Sequence, residues 1–213
     1  EGHVVLGVLT KNYLSDESAI TDMRRYQAAV NNAVSVGLGA GSPQQSAMVA
    51  RVAAEIQPQH VNQVFTGVAT SRALLGQADP VINGLVAPRG EVGLVNVATG
   101  PLSSQSAKAN IPVATAITML KDMGGTSLKY FPMQGTAHLE EFKAVAAACA
   151  DNEFGLEPTG GLDLTNFQQI VQIAVAAGVR QIIPHVYSSI IDATTGETQP
   201  EAVAQLLTIM KQF

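Results

Sequence analysis

A lysine inside an apolar run is the residue with the clearest chemical potential: Lys129, between Leu128 and Tyr130-Phe131. Burial disfavours an ammonium and lowers its pKa, and a neutral amine can attack a ketone to form an imine. The protonated imine then accepts electrons as a neighbouring carbon–carbon bond breaks. Read without chemistry, the same lysine snorkels to solvent or pairs with a carboxylate. Glu157 stands just before the turn Pro158-Thr159-Gly160-Gly161. A carboxylate at a strand end serves as a general acid/base when substrate lies within hydrogen-bond reach, or else as a structural partner of Lys129. The small residues Thr159, Gly160 and Gly161 let backbone N–H groups approach an anion near a helix N-terminus. A plain tight turn has the same composition. His185, Ser188 and Ser189 complete the set. The two hydroxyls would close a phosphate cup and the imidazole would bind sugar-acid hydroxyls, against a buried structural histidine and two loop serines.

Other chemistries lack their residues. His3, His60 and His138 are scattered, with no H-x-H, H-x-x-E-H or clustered His/Asp set, so neither a metal nor any other cofactor is expected. The loop GLGAGSP at 37–43 matches neither a P-loop nor a dinucleotide fingerprint and reads as a close-approach backbone loop of undecided ligand. A net charge of -5 without a Lys/Arg cluster argues against a nucleic-acid partner. The single cysteine, Cys149, excludes an intrachain disulfide, reads as a small buried hydrophobe, and fits a reducing cytoplasm. No apolar run reaches the length of about 18 residues that a membrane span needs, and the opening residues are not a signal peptide.

These groups need elements to hold them. The chain of 213 residues reads as one domain over 1–213, 46% apolar and only 14% charged, which suits an α/β fold with strands covered on both faces. Strands are expected at Val4–Thr10, Ala33–Leu38, Val61–Thr66, Val81–Ala87, Ser127–Pro132, Glu153–Pro158 and Gln181–Val186. Helices are expected at Ser18–Val30 (Ser18 as N-cap), Gln44–Ile56, Ser71–Gly76, Ile111–Met123, His138–Cys149, Phe167–Ala177 and Pro200–Gln212. Gly93–Ala98 also reads as a strand. The Pro88-Arg89-Gly90 turn predicts a hairpin between it and Val81–Ala87. Alternation of this kind predicts a (β/α)8 TIM barrel, in which the C-terminal strand ends and the loops after them carry the chemistry. One strand short of eight, with an apolar strand so close to Glu1, the first strand is expected ahead of this chain's start. An open doubly wound sheet is the alternative.

The strand LKYFPM (128–133), followed after about 24 residues by PTGG (158–161), resembles the 2-keto-3-deoxy-6-phosphogluconate aldolases. That family carries its imine-forming lysine in a K-F-F-P strand and holds substrate phosphate with a P-T-G-G turn. The segments VGLGAGSPQQSAMV, QPQHVNQVFTGVATSRALLGQ, TGPLSS and IPHVYSSIID are similar to the branch linked to D-glucosaminate breakdown, also labelled putative 4-hydroxy-2-oxoglutarate aldolase. The resemblance implies the imine role for Lys129, phosphate contact for Thr159, Gly160 and Gly161, and a phosphate-binding serine at Ser188 or Ser189.

One feature of the better-known aldolases is missing. They place a glutamate base in an L-E-V-T-L-R-T type strand; here that strand is VVLGVLT, with Lys11 just beyond it. Glu157 is the replacement candidate. Lys11 and Arg72 are candidates for the substrate carboxylate, or are plain surface charges.

The expected reaction is cleavage of 2-keto-3-deoxy-6-phosphogluconate to pyruvate and glyceraldehyde 3-phosphate. The alternatives are a 4-hydroxy-2-oxoglutarate aldolase, a sugar-phosphate isomerase or epimerase on the same barrel, and a sugar-phosphate sensor without turnover. The expected partners are the phosphorylated keto acid, pyruvate and, from the apolar helix surfaces, further copies of the chain.

Overall fold

A computed structural model describes residues 2–213. The strand expected ahead of Glu1 lies outside them. In chain order the elements are β1 (Leu6–Leu9), α1 (Asp16–Ala29), β2 (Val34–Gly37), α2 (Ser46–Ile56), β3 (His60–Val64), α3 (Val68–Leu75), β4 (Val81–Val86), β5 (Leu94–Asn96), β6 (Asn110–Pro112), α4 (Val113–Asp122), β7 (Ser127–Tyr130), α5 (Leu139–Asp151), β8 (Gly155–Pro158), α6 (Phe167–Ala176) and α7 (Pro200–Met210). Helix α1 starts earlier than the sequence predicts. Ser15 is its N-cap and Ser18 returns the bond as N3, a reciprocal capping box that satisfies two orphan donors.

Six strands form one parallel sheet in the order β1-β2-β3-β4-β7-β8. This sequential order is that of a (β/α) barrel, whereas a doubly wound sheet reverses direction partway. Beyond β8, Ile182 and His185 make parallel bridges to Leu156 and Thr159. The expected last strand, Gln181–Val186, is thus reduced to bridges. The amides of Ile183 and His185 donate to Leu156 and Pro158, while Pro184 has no N–H to offer an opposite neighbour. The two ends of the sheet approach each other, since a Cβ on Gly7 in β1 would sit 3.5 Å from the ring of Tyr187.

The expected hairpin is corrected in its partner. Ala87 meets Asn96 in one antiparallel bridge, but β5 pairs along its length with β6. The Asn96 side chain accepts from the amides of Ala98 and Ala109, which draws the distant segment in and displaces the helix start expected at Ile111.

Every residue of β2, β3, β7 and β8 is buried, as strands covered on both faces must be. Side chains alternate between the faces. Val36, Val61, Ile82, Leu128, Tyr130 and Leu156 join the apolar core with the helices. Helix α4 comes so near that a Cβ on Gly84 would lie 2.1 Å from Leu120. The other face carries Ser35, His60, Asn62, Asn83, Ser127, Lys129 and Glu157, all buried and polar. No helix among the described residues is long and apolar enough to cross a membrane.

Candidate active site

Lys129 occupies the middle of β7, in register with Leu85 of β4 and Glu157 of β8. It is 8% exposed. Its Nζ donates to Asn62 Oδ1 at 2.8 Å and stands 3.4 Å from His185 Nδ1. Burial brings this amine down from 10.5 to about 8, against the opposing pull of the Glu157 carboxylate. Lowering its basicity raises the neutral fraction near physiological pH far above that of an ordinary lysine, and the neutral amine is the nucleophile.

Glu157 is fully buried. Oε1 accepts from Ser127 Oγ at 2.5 Å and His60 Nε2 at 3.0 Å; Oε2 accepts from Asn83 Nδ2 at 2.5 Å and His185 Nε2 at 2.7 Å. Burial alone would raise its pKa, but the neighbouring imidazoles and their hydrogen bonds hold it well below the usual carboxylate range. Both oxygens are saturated. A direct exchange of protons between Glu157 and substrate, the expectation from its place beside the turn, is therefore corrected: the carboxylate lies beneath the cavity and does not line it.

The bonds close into a ring. Lys129 donates to Asn62, whose amide donates to Ser35 Oγ at 2.7 Å. Ser35 Oγ lies 2.7 Å from His60 Nδ1, and the circuit returns through Glu157 and His185 to Lys129. Asn83 braces it from inside, bonding both Asn62 Oδ1 and Glu157. All but His185, which bridges to Thr159 beyond β8, come from the inner face of the strands. Buried polar networks of this kind are rigid when complete.

The network also revises the view of the histidines as scattered. His60, Glu157 and His185 have ligand-type atoms within 4.8 Å of one another, a set that could hold a metal ion by residue type. Here each Nε2 is spent on a carboxylate oxygen that already has a second donor, so the three residues satisfy one another without an ion. The signal available in the sequence is period-two polarity inside apolar strands: His60/Asn62, Ser127/Lys129 and Glu157/Thr159.

A cavity of about 380 Å³ opens over Lys129, a size suited to a small metabolite. Its wall comprises Lys11 at the end of β1, the 37–41 loop, Phe131, the Thr159–Leu162 turn, and His185, Tyr187 and Ser188. Thr159, Gly160 and Gly161 are thus on the cavity with Lys129. The turn is clasped by the following loop: Met133 N donates to Thr159 O and Gly135 N to Gly160 O. Gly161 has φ +74, and a Cβ there would stand 2.5 Å from Gly135 N. Ser188 faces the cavity, whereas Ser189 donates to Leu162 O at 2.7 Å and ties its loop to the turn. Lys11 lies along the wall, its stem packed over Gly39. The GLGAG loop is accordingly part of the same pocket. Arg72 is elsewhere: it donates to the carbonyls of Gly124, Gln77, Ala78 and Pro80. Its guanidinium is consumed by backbone, which corrects its candidacy for the substrate carboxylate.

Comparison with known proteins follows the same lines. The model of the KDGP aldolase family matches residues 1–194. A relative from Salmonella typhimurium, named 2-dehydro-3-deoxy-phosphogluconate aldolase, is 44% identical over 215 residues, covering 99% of this chain and 87% of its own. Among solved structures, thiamine phosphate pyrophosphorylase from Pyrococcus furiosus superposes with TM-score 0.59 at 9% identity, covering 97% of this chain and 81% of that one. A structure described as native KDPGal superposes with TM-score 0.55 at 13% identity, covering 98% and 93%. At such identities the structural likeness speaks to the fold alone.

Proposed function

The chain belongs to the KDGP aldolase family, and from that premise we propose that it cleaves 2-keto-3-deoxy-6-phosphogluconate to pyruvate and glyceraldehyde 3-phosphate through an imine on Lys129. The observation that carries the reading is the buried amine of Lys129 on the wall of a closed-in cavity, brought down to about 8. The keto carbon meets this amine and loses water to give the iminium. The C3–C4 bond then breaks toward the positive nitrogen and releases the aldehyde, leaving an enamine of pyruvate. The Thr159–Gly161 turn and Ser188 offer amides and a hydroxyl to the phosphate; Lys11 offers a cation to the carboxylate.

The finer setting follows from the surface and composition. Exposed Leu14, Val92 and Leu102 support a homo-oligomer. One cysteine, buried and pushed up to about 12 by burial, supports a reducing cytoplasm.

The test is borohydride reduction in the presence of pyruvate, followed by peptide mapping. A stable adduct on Lys129 is expected, and absence of an adduct on any lysine of the folded protein overturns the aldolase mechanism. Inorganic phosphate should compete with the sugar acid. Indifference to phosphate, with 4-hydroxy-2-oxoglutarate turned over instead, would transfer the assignment to that substrate.

A further inference from the structure

The early-strand glutamate of the better-known aldolases has no counterpart in VVLGVLT, and Glu157 is saturated beneath the cavity. A proton must still leave the C4 hydroxyl as C3–C4 breaks, and one must arrive at C3 afterwards. Four titratable side chains line the cavity: Lys11, Lys129, His185 and Tyr187. Lys129 is committed to the imine. Lys11 is exposed and is assigned to the substrate carboxylate. Tyr187 is pushed up to about 12, mainly by burial and further by the Glu157 charge, and so keeps its proton.

Resting on the Lys129 imine reading, we propose that His185 takes the C4 hydroxyl proton and returns it to C3, locked by Glu157 into the one tautomer that can do so. An ionised carboxylate only accepts hydrogen bonds. Glu157 meets both imidazoles through Nε2, so each Nε2 carries the hydrogen, and the neutral His185 ring then has its lone pair on Nδ1. His60 Nδ1 is spent on the Ser35 hydroxyl, and His60 is not on the cavity. His185 Nδ1 faces the reacting nitrogen instead: Lys129 Nζ stands at 3.4 Å and Tyr187 Oη at 3.1 Å. Both neighbours are donors that can give way to a substrate hydroxyl.

The charge balance favours the step. In the iminium complex the positive charge is on the Lys129 nitrogen and His185 is neutral. Burial first, and the Lys129 charge second, bring this imidazole down to about 4 against the pull of Glu157. As C3–C4 breaks, its electron pair neutralises the iminium to an enamine while the hydroxyl proton moves to His185 Nδ1. One positive charge has shifted from the lysine nitrogen to the imidazole, so the net charge around the Glu157 carboxylate is the same before and after. The charge that had depressed His185 vanishes in the same event. After the aldehyde leaves, the imidazolium gives its proton to C3, the iminium re-forms, and water hydrolyses it to pyruvate and free Lys129.

His185→Gln tests this with three readouts on the full-length protein. The pyruvate-dependent borohydride adduct on Lys129 should persist. Exchange of pyruvate methyl protons in deuterated water and cleavage of the sugar acid should fall together by about 10²–10⁴-fold. Exchange and cleavage within about fivefold of the unaltered protein would overturn the role, because that is near 1 kcal/mol of barrier. If the unaltered protein gives no adduct, the imine reading itself fails, which is seen before any variant is made. Should His185→Gln not fold, 15N-histidine NMR of the unaltered protein decides. His185 is expected with hydrogen on Nε2 and none on Nδ1 at neutral pH, and the opposite tautomer would overturn the proposal.

Discussion

Nε2 of His185 lies 2.7 Å from Oε2 of Glu157, so the imidazole is anchored by one ring nitrogen while the other stands beside Lys129. The carboxylate does the same for His60 on its other oxygen. Glu157 therefore acts through its neighbours, as the acceptor that orients four donors from four different strand positions.

Glu157→Gln should show both consequences. An amide nitrogen in place of either oxygen faces two donors, and the charge that balances Lys129 is gone. Loss of one partner from a buried charged network costs about 3–5 kcal/mol, read as a lower urea midpoint. The borohydride adduct on Lys129 should persist while cleavage falls, because the amine is bonded to Asn62 and not to Glu157. Unchanged stability would mean that the four bonds are not made in solution.

Much of this site is legible in the amino-acid sequence. Lys129 within an apolar strand and the PTGG turn both emerge from local patterns, and the fold places them on one cavity. The bracing of the site is legible only as period-two polarity, because which of Asn62, Asn83, Ser127 and His60 meet is decided when the sheet curls their common face inward. Arg72 misleads for the complementary reason. A cation near a strand end resembles a ligand, and only the path of the chain reveals four backbone carbonyls around it. Likewise β6 is hidden because its partner β5 lies across a long loop, beyond the reach of turn patterns.

Gly161→Ala tests the phosphate end alone. The residue has φ +74, and the new Cβ would be 2.5 Å from Gly135 N, a backbone atom with little freedom to move. The left-handed conformation adds roughly 1–2 kcal/mol of strain. The turn must shift, so KM for the phosphorylated acid should rise about tenfold or more, the equivalent of 1.4 kcal/mol. Trapping of pyruvate, which has no phosphate, should be unaffected. Equal losses with both ligands would show instead a collapse of the whole cavity.

Stability should follow pH on two limbs. His185 titrates near 4 in the fold and 6.5 as a free side chain, brought down by burial and then by Lys129. Between those values the unfolded chain binds the extra proton, so this contribution is complete above 6.5 and is lost as pH falls toward 4. Glu157, held below its ordinary 4.5 although burial opposes it, adds to the loss at the acid end. Lys129 titrates near 8 in the fold and 10.5 when unfolded, so stability rises again as pH climbs through that window. The His185 and Lys129 displacements each correspond to roughly 3 kcal/mol. Urea midpoints at several pH values check both limbs, and a midpoint independent of pH between about 8 and 10 would contradict the buried amine.

Arg72 and Lys11 separate structural from ligand-binding cations. Arg72 ties the segment after α3 to the turn before β7 through carbonyls of Gln77, Ala78, Pro80 and Gly124 at 2.7 to 3.1 Å. Charge-assisted bonds of this kind are worth about 1.5–3 kcal/mol each, and they are not additive. Arg72→Ala should therefore destabilise the fold by a few kcal/mol, read as a lower urea midpoint, leaving KM and kcat unaltered. Lys11→Ala should do the reverse: its amine is on the cavity wall and exposed. Stability should change by no more than about 0.5 kcal/mol, while KM for the keto acid rises and pyruvate traps less efficiently. If KM responds to Arg72 and not to Lys11, the carboxylate of the substrate is bound on the other side of the sheet from the amine that attacks it, and the pocket over Lys129 cannot be where the reaction occurs.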